Sequence, residues 1–344
     1  MRKRNGSSAG HLDTPAATRG WPHSMWMTTR SDERSTRLPG KELAVSSNSR
    51  KLMSTLVAPV GAAYGVALGF RMYHPPRRPH HRRPEDVELA ATERIVDVSP
   101  TGRIHVWLCA GARDRVVVLG HGIGLSKSAS LAHAKLLHEA GYTVCLFDHR
   151  NHGASSYHRG FRRLGEHFTT DIVEVVAALR AMAEFRDARI ALFGFSFSTF
   201  PSVHALTRPD FAVDAIICDS GPVDDGRALF ERFLAAGPLP VPGVFARGRA
   251  GAATRSAMTA TAQALLGVEW PPRVSPTAAQ VPALFICGEN DQITTPEAVQ
   301  ALAARYTGFQ VEVLPGAGHL EGLKLARQRY TELVLDFLGR HLVA

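Results

Sequence analysis

The run Ile190-Ala-Leu-Phe-Gly-Phe-Ser-Phe-Ser-Thr199 constrains the fold of this chain more than any other stretch. An apolar segment of strand length ends in small-x-Ser-x-small and passes at once into a helical pattern, the signature of a strand–turn–helix nucleophile elbow. The turn is tight, so the residues two before and two after the nucleophile must be small or they collide with the strand and the helix. Gly194 and Ser198 meet that condition around Ser196, although Gly is usual at the last place. An ordinary strand-to-helix turn with a capping Ser reads the same over five residues, so the surrounding chain has to decide.

From about residue 85, short apolar runs alternate with longer helical patterns, which predicts a mainly parallel sheet covered by helices, an α/β fold. Strands are expected at Glu93–Val98, Arg103–Leu108, Arg115–Leu119, Thr143–Phe147, Arg189–Phe193, Asp214–Cys218, Ala283–Cys287 and Gln310–Val313, the first two joined by a hairpin-like turn. Helices are expected near Ala129–Ala140, Phe168–Phe185, after Ser196, Pro296–Tyr306 and Glu321–Leu342. The plan has eight strands and one insertion after the sixth, Gly221 to Gln280.

Three loops at strand ends carry chemistry. Gly120-His-Gly-Ile-Gly124 follows the third strand, and its glycines let the chain turn sharply and expose backbone N–H groups, as an oxyanion hole requires. Two donors are expected, the N–H of Ile123 and that of Phe197, the residue after the nucleophile. The loop lacks GxGxxG and is not a dinucleotide fingerprint. Asp291, in Cys287-Gly-Glu-Asn-Asp-Gln-Ile-Thr-Thr-Pro296, would sit at the C-terminal edge of its strand, where parallel sheets place reactive groups. Glu289 is the competing carboxylate, and Asp291 could instead cap the following helix, as could Thr294 or Thr295. His319, in Val313-Leu-Pro-Gly-Ala-Gly-His319, follows the last strand; among 16 histidines it stands apart by completing the order Ser, Asp, His. A Ser hydroxyl needs a His to take its proton and a carboxylate to hold that His in the right tautomer.

With these residues in place, the chain from about residue 90 to the end resembles an α/β-hydrolase, most similar to the serine-aminopeptidase and monoacylglycerol-lipase-like branch. Phe147-Asp-His-Arg-Asn-His-Gly-Ala-Ser155 resembles that branch's D-x-R-G-H-G-x-S segment, with Asn151 in place of a Gly; Ser198 replaces the Gly that ends the elbow. The resemblance implies an α/β-hydrolase fold, an eight-stranded mostly parallel sheet with a helical cap after strand six. It also implies a serine hydrolase working through an acyl-enzyme on Ser196, with Asp291, His319 and no cofactor. Asp148, His149 and His152 then belong to a structural turn near the mouth of the site and carry no catalytic role. A carboxylic ester is the expected substrate; an acyltransferase, an amidase or peptidase on the same triad, and a non-catalytic ligand-binding member of the fold are the alternatives.

The inserted cap, 221–280, holds Leu229, Phe230, Phe233, Leu266 and Trp270 among other apolar residues, which serve the cap's own packing or line a pocket for an apolar acyl group. Cys109, Cys145, Cys218 and Cys287 each sit in or at the end of a strand-like run and form no CxxC pair, so buried free thiols are expected.

The charge is unevenly placed. Residues 1–84 hold 15 Lys and Arg against 4 Asp and Glu, while residues 85–344 hold 25 against 27. The net charge of +9 therefore belongs to the N-terminal segment, which argues against a nucleic-acid-binding face on the large domain. Residues 1–51 read as a basic disordered segment. Leu52–Phe70 is uncharged and close to bilayer length, with Gly61, Gly65 and Gly69 four apart in the small-xxx-small pattern of closely packed membrane helices. A membrane anchor, an export signal and a packing helix stay open for it. The Arg-rich flank points to a cytoplasmic hydrolase domain, anchored if the segment spans. Residues 71–84, rich in Pro and Arg, read as a linker.

Overall fold

The computed structural model describes Ser47–Val343 apart from Arg78, Pro100, Pro238 and Pro240, with side chains from Val57 onward. Its centre is one sheet of eight strands: β1 (Thr92–Val98), β2 (Gly102–Cys109), β3 (Ala112–Gly120), β4 (Tyr142–Phe147), β5 (Arg189–Phe195), β6 (Ala215–Asp219), β7 (Ala283–Gly288) and β8 (Phe309–Leu314). The spatial order is β1-β2-β4-β3-β5-β6-β7-β8. β2 pairs antiparallel with β1 and β4, and every other pair is parallel. β4, β6 and β7 are buried along their whole length, which is why they read as continuous apolar runs and not as alternating ones.

Ten helices are described: α1 (Ser47–Tyr73), α2 (Leu131–Glu139), α3 (Leu164–Ala181), α4 (Thr199–Ala205), α5 (Gly226–Ala235), α6 (Gly243–Ala246), α7 (Gly248–Leu266), α8 (Pro296–Ala303), α9 (Gly322–Leu325) and α10 (Arg327–His341). Successive side chains of a strand point to opposite faces. Val116 and Val118 of β3 accordingly pack with Ile172 of α3, Val203 of α4 and Val299 of α8. Val117 and Leu119 pack on the other face with Leu131 of α2 and Phe337 of α10. The single closing helix expected over Glu321–Leu342 is two helices, divided at Ala326 (φ −124°, ψ 43°). All four cysteines are buried and unpaired.

α5, α6 and α7 lie between β6 and β7 in the chain, and α1 packs along α7. At Gly61, Gly65 and Gly69 a Cβ would stand 2.7, 2.3 and 2.8 Å from the carbonyl oxygens of Ala250, Thr254 and Met258. The three glycines thus form a backbone-to-backbone contact within one chain, and Thr254 Oγ1 donates to the C=O of Gly61 at 3.0 Å. This corrects the expectation of a membrane anchor at Leu52–Phe70. Among the described residues no helix is long and apolar enough to cross a membrane, because alanines, glycines, Ser54 and Thr55 dilute the hydropathy of α1. Pro59 lies inside α1 without ending it.

The basic segment expected over 1–51 falls outside the described residues, except that Ser47–Lys51 form the start of α1. The run expected to be a linker is tied to the loop after β4. His74 Nε2 lies 3.0 Å from the C=O of His158, Arg77 donates to the C=O of Ser155, and His80 Nε2 lies 2.9 Å from Asp148 Oδ2. Asp148 also accepts from the buried Lys127, at 2.6 Å from Nζ and 2.7 Å from the backbone N–H. Burial alone would raise the Asp148 carboxyl; the His80 hydrogen bond and the Lys127 charge reverse that and hold it well below the usual carboxylate range.

Candidate active site

β5 delivers Ser196 to the sheet edge. Ser196 has φ +49°, the left-handed strain expected of an elbow nucleophile. Gly194 is obligatory there, because a Cβ would lie 2.8 Å from the backbone N of Thr199. Ser198 has ordinary helical geometry (φ −65°, ψ −18°), so this position makes no demand for glycine on the backbone. Room for its side chain comes from Gly120 across the turn, where a Cβ would stand 1.9 Å from Ser198 Oγ.

The structure brings the three expected residues together. His319 Nε2 is 2.9 Å from Ser196 Oγ, and His319 Nδ1 is 2.8 Å from Asp291 Oδ2. A carboxylate only accepts, so Nδ1 carries the proton and Nε2 presents its lone pair to the hydroxyl. Asp291 is buried at the end of β7. Its Oδ1 accepts from the N–H groups of Ile293 and Thr294, both at 2.9 Å, and Oδ2 accepts from the Thr294 hydroxyl at 2.6 Å. Burial opposes ionisation of Asp291, but the bond to His319, its charge and the Thr294 donors outweigh it and hold the carboxyl below its usual range.

The competing acids are occupied elsewhere. Glu289 accepts from the Gly316 N–H at 2.9 Å. Asp219, at the end of β6, accepts from the Tyr330 hydroxyl at 2.6 Å and from Ser220 Oγ at 2.9 Å. Ser220 Oγ in turn accepts from the N–H of Leu320 at 2.9 Å, tying the residue beside His319 to the sheet.

Phe197 lies in the short 3₁₀ turn Ser196–Ser198 that leads into α4, where N–H groups at the start of a helix have no intrahelical partner. Gly122 brings the other loop alongside the nucleophile, where a Cβ would stand in ordinary contact, 3.6 Å from Ser196 Cβ. Two histidines bracket Ile123. His121 Nδ1 donates to the C=O of Gly122 at 2.8 Å, and His152 Nε2 accepts from the N–H of Gly124 at 3.0 Å. In a trans peptide C=O and N–H point opposite ways, so the His121 bond sets the direction of the Ile123 N–H. His121 Nε2 accepts from the N–H of His149 at 3.2 Å, and His149 Nε2 lies 2.9 Å from Ser198 Oγ. Burial keeps these three imidazoles neutral, His152 being pushed down to about 3. The sequence marked His149 and His152 only as parts of a turn; their link to the Gly120–Gly124 loop needs the fold.

Ser196, Ile123 and Phe197 open on a cavity of about 240 Å³. Leu229, Phe230 and Phe233 of α5 and Leu266 of α7 line it, as does Trp270. Of the cap's other apolar residues, Leu234, Met258 and Leu265 pack behind it, in the cluster that also holds Phe230 and, from α1, Leu68 and Met72. Two lining residues, Met72 and Tyr73, come from the end of α1, which sequence reasoning placed outside the domain. The glycine spacing of α1 announced a close partner but not its identity. Among the described residues no group of three His, Cys, Asp or Glu side chains is placed to hold a metal.

A family model described as the alpha/beta hydrolase family matches residues 116–327. The chain belongs to this family. No curated protein matches the sequence. Among solved structures this α/β-hydrolase is similar to an esterase from Pyrococcus furiosus, at 20% identity and a TM-score of 0.64 over 79% of this chain and 99% of that one. It is also similar to a thermophilic esterase from Thermogutta terrifontis (20% identity, TM-score 0.53, 74% of this chain and 100% of that one). A third is an esterase from Exiguobacterium antarcticum (19% identity, TM-score 0.53, 72% of this chain and 100% of that one). At such identities the likeness speaks to the α/β-hydrolase fold.

Proposed function

We propose that this α/β-hydrolase is a serine esterase acting on a small-molecule carboxylic ester with a largely apolar acyl group. The observation that carries the reading is the continuous chain Ser196–His319–Asp291 at 2.9 and 2.8 Å, opening on a cavity lined mainly by apolar residues. Ser196 Oγ attacks the ester carbonyl while His319 Nε2 takes its proton; the same imidazole then returns the proton to the departing alkoxide. Asp291 holds the tautomer and supports the imidazolium. The N–H groups of Ile123 and Phe197 receive the developing oxyanion, and losing one such donor lowers kcat by roughly 10²–10³. Water then cleaves the acyl-enzyme with His319 as base. The catalytic domain on this reading spans 85–344 with its cap at about 221–280, and the Phe147–Ser155 segment favours the monoacylglycerol-lipase-like branch.

The test is labelling with a fluorophosphonate probe, wild type against Ser196→Ala, together with turnover of p-nitrophenyl esters of graded length. Labelling confined to the wild type and hydrolysis of apolar esters are expected. An unlabelled wild-type protein would sink the proposal.

A further inference from the structure

Two residues that are not glycine hold left-handed backbone near His319. Leu320, with φ +57°, directly follows that histidine, and Ser220, with φ +59°, directly follows β6. Side chains rarely adopt this region, and such strain persists only where the surroundings impose it. Here the two strained residues hold each other: the Leu320 N–H donates to Ser220 Oγ at 2.9 Å, across 100 residues of sequence.

That bond is aimed from behind. A hydroxyl rotates about its C–O bond, so its lone pairs face a backbone N–H reliably only when its proton is committed elsewhere. Ser220 gives its proton to Asp219 Oδ1 at 2.9 Å, and Asp219 is itself pinned because Oδ2 accepts from the Tyr330 hydroxyl of α10 at 2.6 Å. Asp219, Ser220 and Tyr330 are all buried. The N–H of Ser220 donates to the C=O of Ile286 in β7 at 2.8 Å, which fixes its backbone to the sheet. Burial raises the Asp219 carboxyl, against the hydrogen bonds from Tyr330 and Ser220 and the charge of His319, so the imidazole lies within its electrostatic reach. Before the histidine, the C=O of Ala317 accepts from the Asn290 N–H at 2.8 Å. The loop is thus gripped two residues before His319 by backbone and one residue after it by a side chain.

We propose that Ser220 is a positioning residue for the Ser196–His319–Asp291 chain: its hydroxyl, aimed by Asp219, fixes the backbone that carries His319 and keeps Nε2 within hydrogen-bond reach of Ser196 Oγ. The proposal rests on the esterase reading and adds to it a pair that acts through His319 and not on the substrate. A small displacement of the proton acceptor slows the chemical step while leaving the cavity that binds the acyl group unchanged.

The experiment measures kcat and KM on one p-nitrophenyl ester, and the rate of fluorophosphonate labelling, for full-length wild type, Ser220→Ala, Ser220→Gly and Thr143→Val. Each is assayed well below its own Tm. Thr143 is the matched control, a buried hydroxyl at the start of β4 that accepts from the Gly111 N–H and donates to the Ala112 C=O, both at 2.8 Å, at the opposite edge of the sheet from Ser196. Both Ser220 variants should lower kcat about tenfold with KM within about twofold, and labelling should slow by a similar factor. Glycine suits φ +59° where alanine does not, so a loss common to both identifies the hydroxyl and not the backbone, and Ser220→Gly carries the test if Ser220→Ala does not fold. Thr143→Val should lower Tm and leave kcat within about twofold of wild type. The proposal is overturned if Ser220→Gly keeps wild-type kcat, if the loss lies in KM alone, or if Thr143→Val loses as much. Labelled wild type with unimpaired Ser220 variants overturns this inference alone; unlabelled wild type overturns the esterase reading beneath it as well.

Discussion

Thr254 Oγ1 of α7 donates to the C=O of Gly61 of α1 at 3.0 Å, across 193 residues of sequence. The two helices meet along their smallest residues, and the wall that Met72 and Tyr73 give the cavity depends on that contact.

Gly65→Ala tests it with a sign that isolates packing from propensity. In a helix interior Gly→Ala alone stabilises by about 1 kcal/mol. At Gly65 the new Cβ would stand 2.3 Å from the Thr254 carbonyl oxygen, so a net loss of about 1–3 kcal/mol is expected, with reduced ester turnover as α1 shifts. Gly339→Ala in α10, where nothing lies within 4 Å, is the control and should stabilise. Urea denaturation of the two variants decides; stabilisation at both positions would refute the packed contact.

Asp291→Asn should lower kcat by roughly 10⁴ with the fold intact, because an amide no longer enforces the tautomer that presents His319 Nε2 to Ser196. Glu289→Gln should leave turnover within about twofold, since Glu289 faces the Gly316 N–H and not His319 among the described contacts. Steady-state kinetics on one ester, with circular dichroism to check folding, separates the two carboxylates.

Gly120 and Ser198 should behave as one unit. Gly120→Ala drives a Cβ to within 1.9 Å of Ser198 Oγ and should destabilise strongly, by about 3 kcal/mol or less after relaxation. Ser198→Gly restores the space at the cost of leaving His149 Nε2 unpaired, itself worth about 1–3 kcal/mol. The double variant should be more stable than the sum of the single losses predicts, a coupling above about 0.5 kcal/mol in a double-mutant cycle. Strict additivity would contradict the contact.

Acid should destabilise the fold well before carboxylates titrate. His152 is pushed down to about 3 in the folded chain, against about 6.5 when unfolded. Between those values the unfolded chain binds a proton that the folded chain refuses, so stability falls as pH falls, by up to about 1.4 kcal/mol per pH unit for this one group. His121 and His149, lowered by the same burial, add to the slope. Denaturation midpoints measured from pH 7 down to pH 5 should show a shallower dependence for His152→Gln than for wild type. Equal slopes would count against a neutral buried His152.

Much of this arrangement could be read from the chain. The apolar run of β5, the small residues around Ser196, and an acid and a histidine placed after successive strands are local patterns, and each reflects a steric or periodic requirement that acts within a few residues. The usual Gly at position 198 is absent, and local pattern could not say what made that tolerable; the answer is Gly120, 78 positions earlier and on a different strand. The spacing of Gly61, Gly65 and Gly69 is equally ambiguous alone. Small residues four apart bring a helix close to a partner in water as in a membrane.

The sequence by itself determined the class of fold, the order of the strands along the chain and the candidates Ser196, Asp291 and His319, because burial of parallel strands and the geometry of a tight elbow are imposed locally. Only the tertiary structure decided that α1 lies on α7, that His121 and His152 bracket Ile123, and that Tyr73 stands at the cavity wall. Those facts rest on contacts such as Asn151 with the Tyr73 carbonyl, between residues far apart in the chain. No periodicity in either segment encodes them, since each is satisfied only when both surfaces have already been shaped by the core.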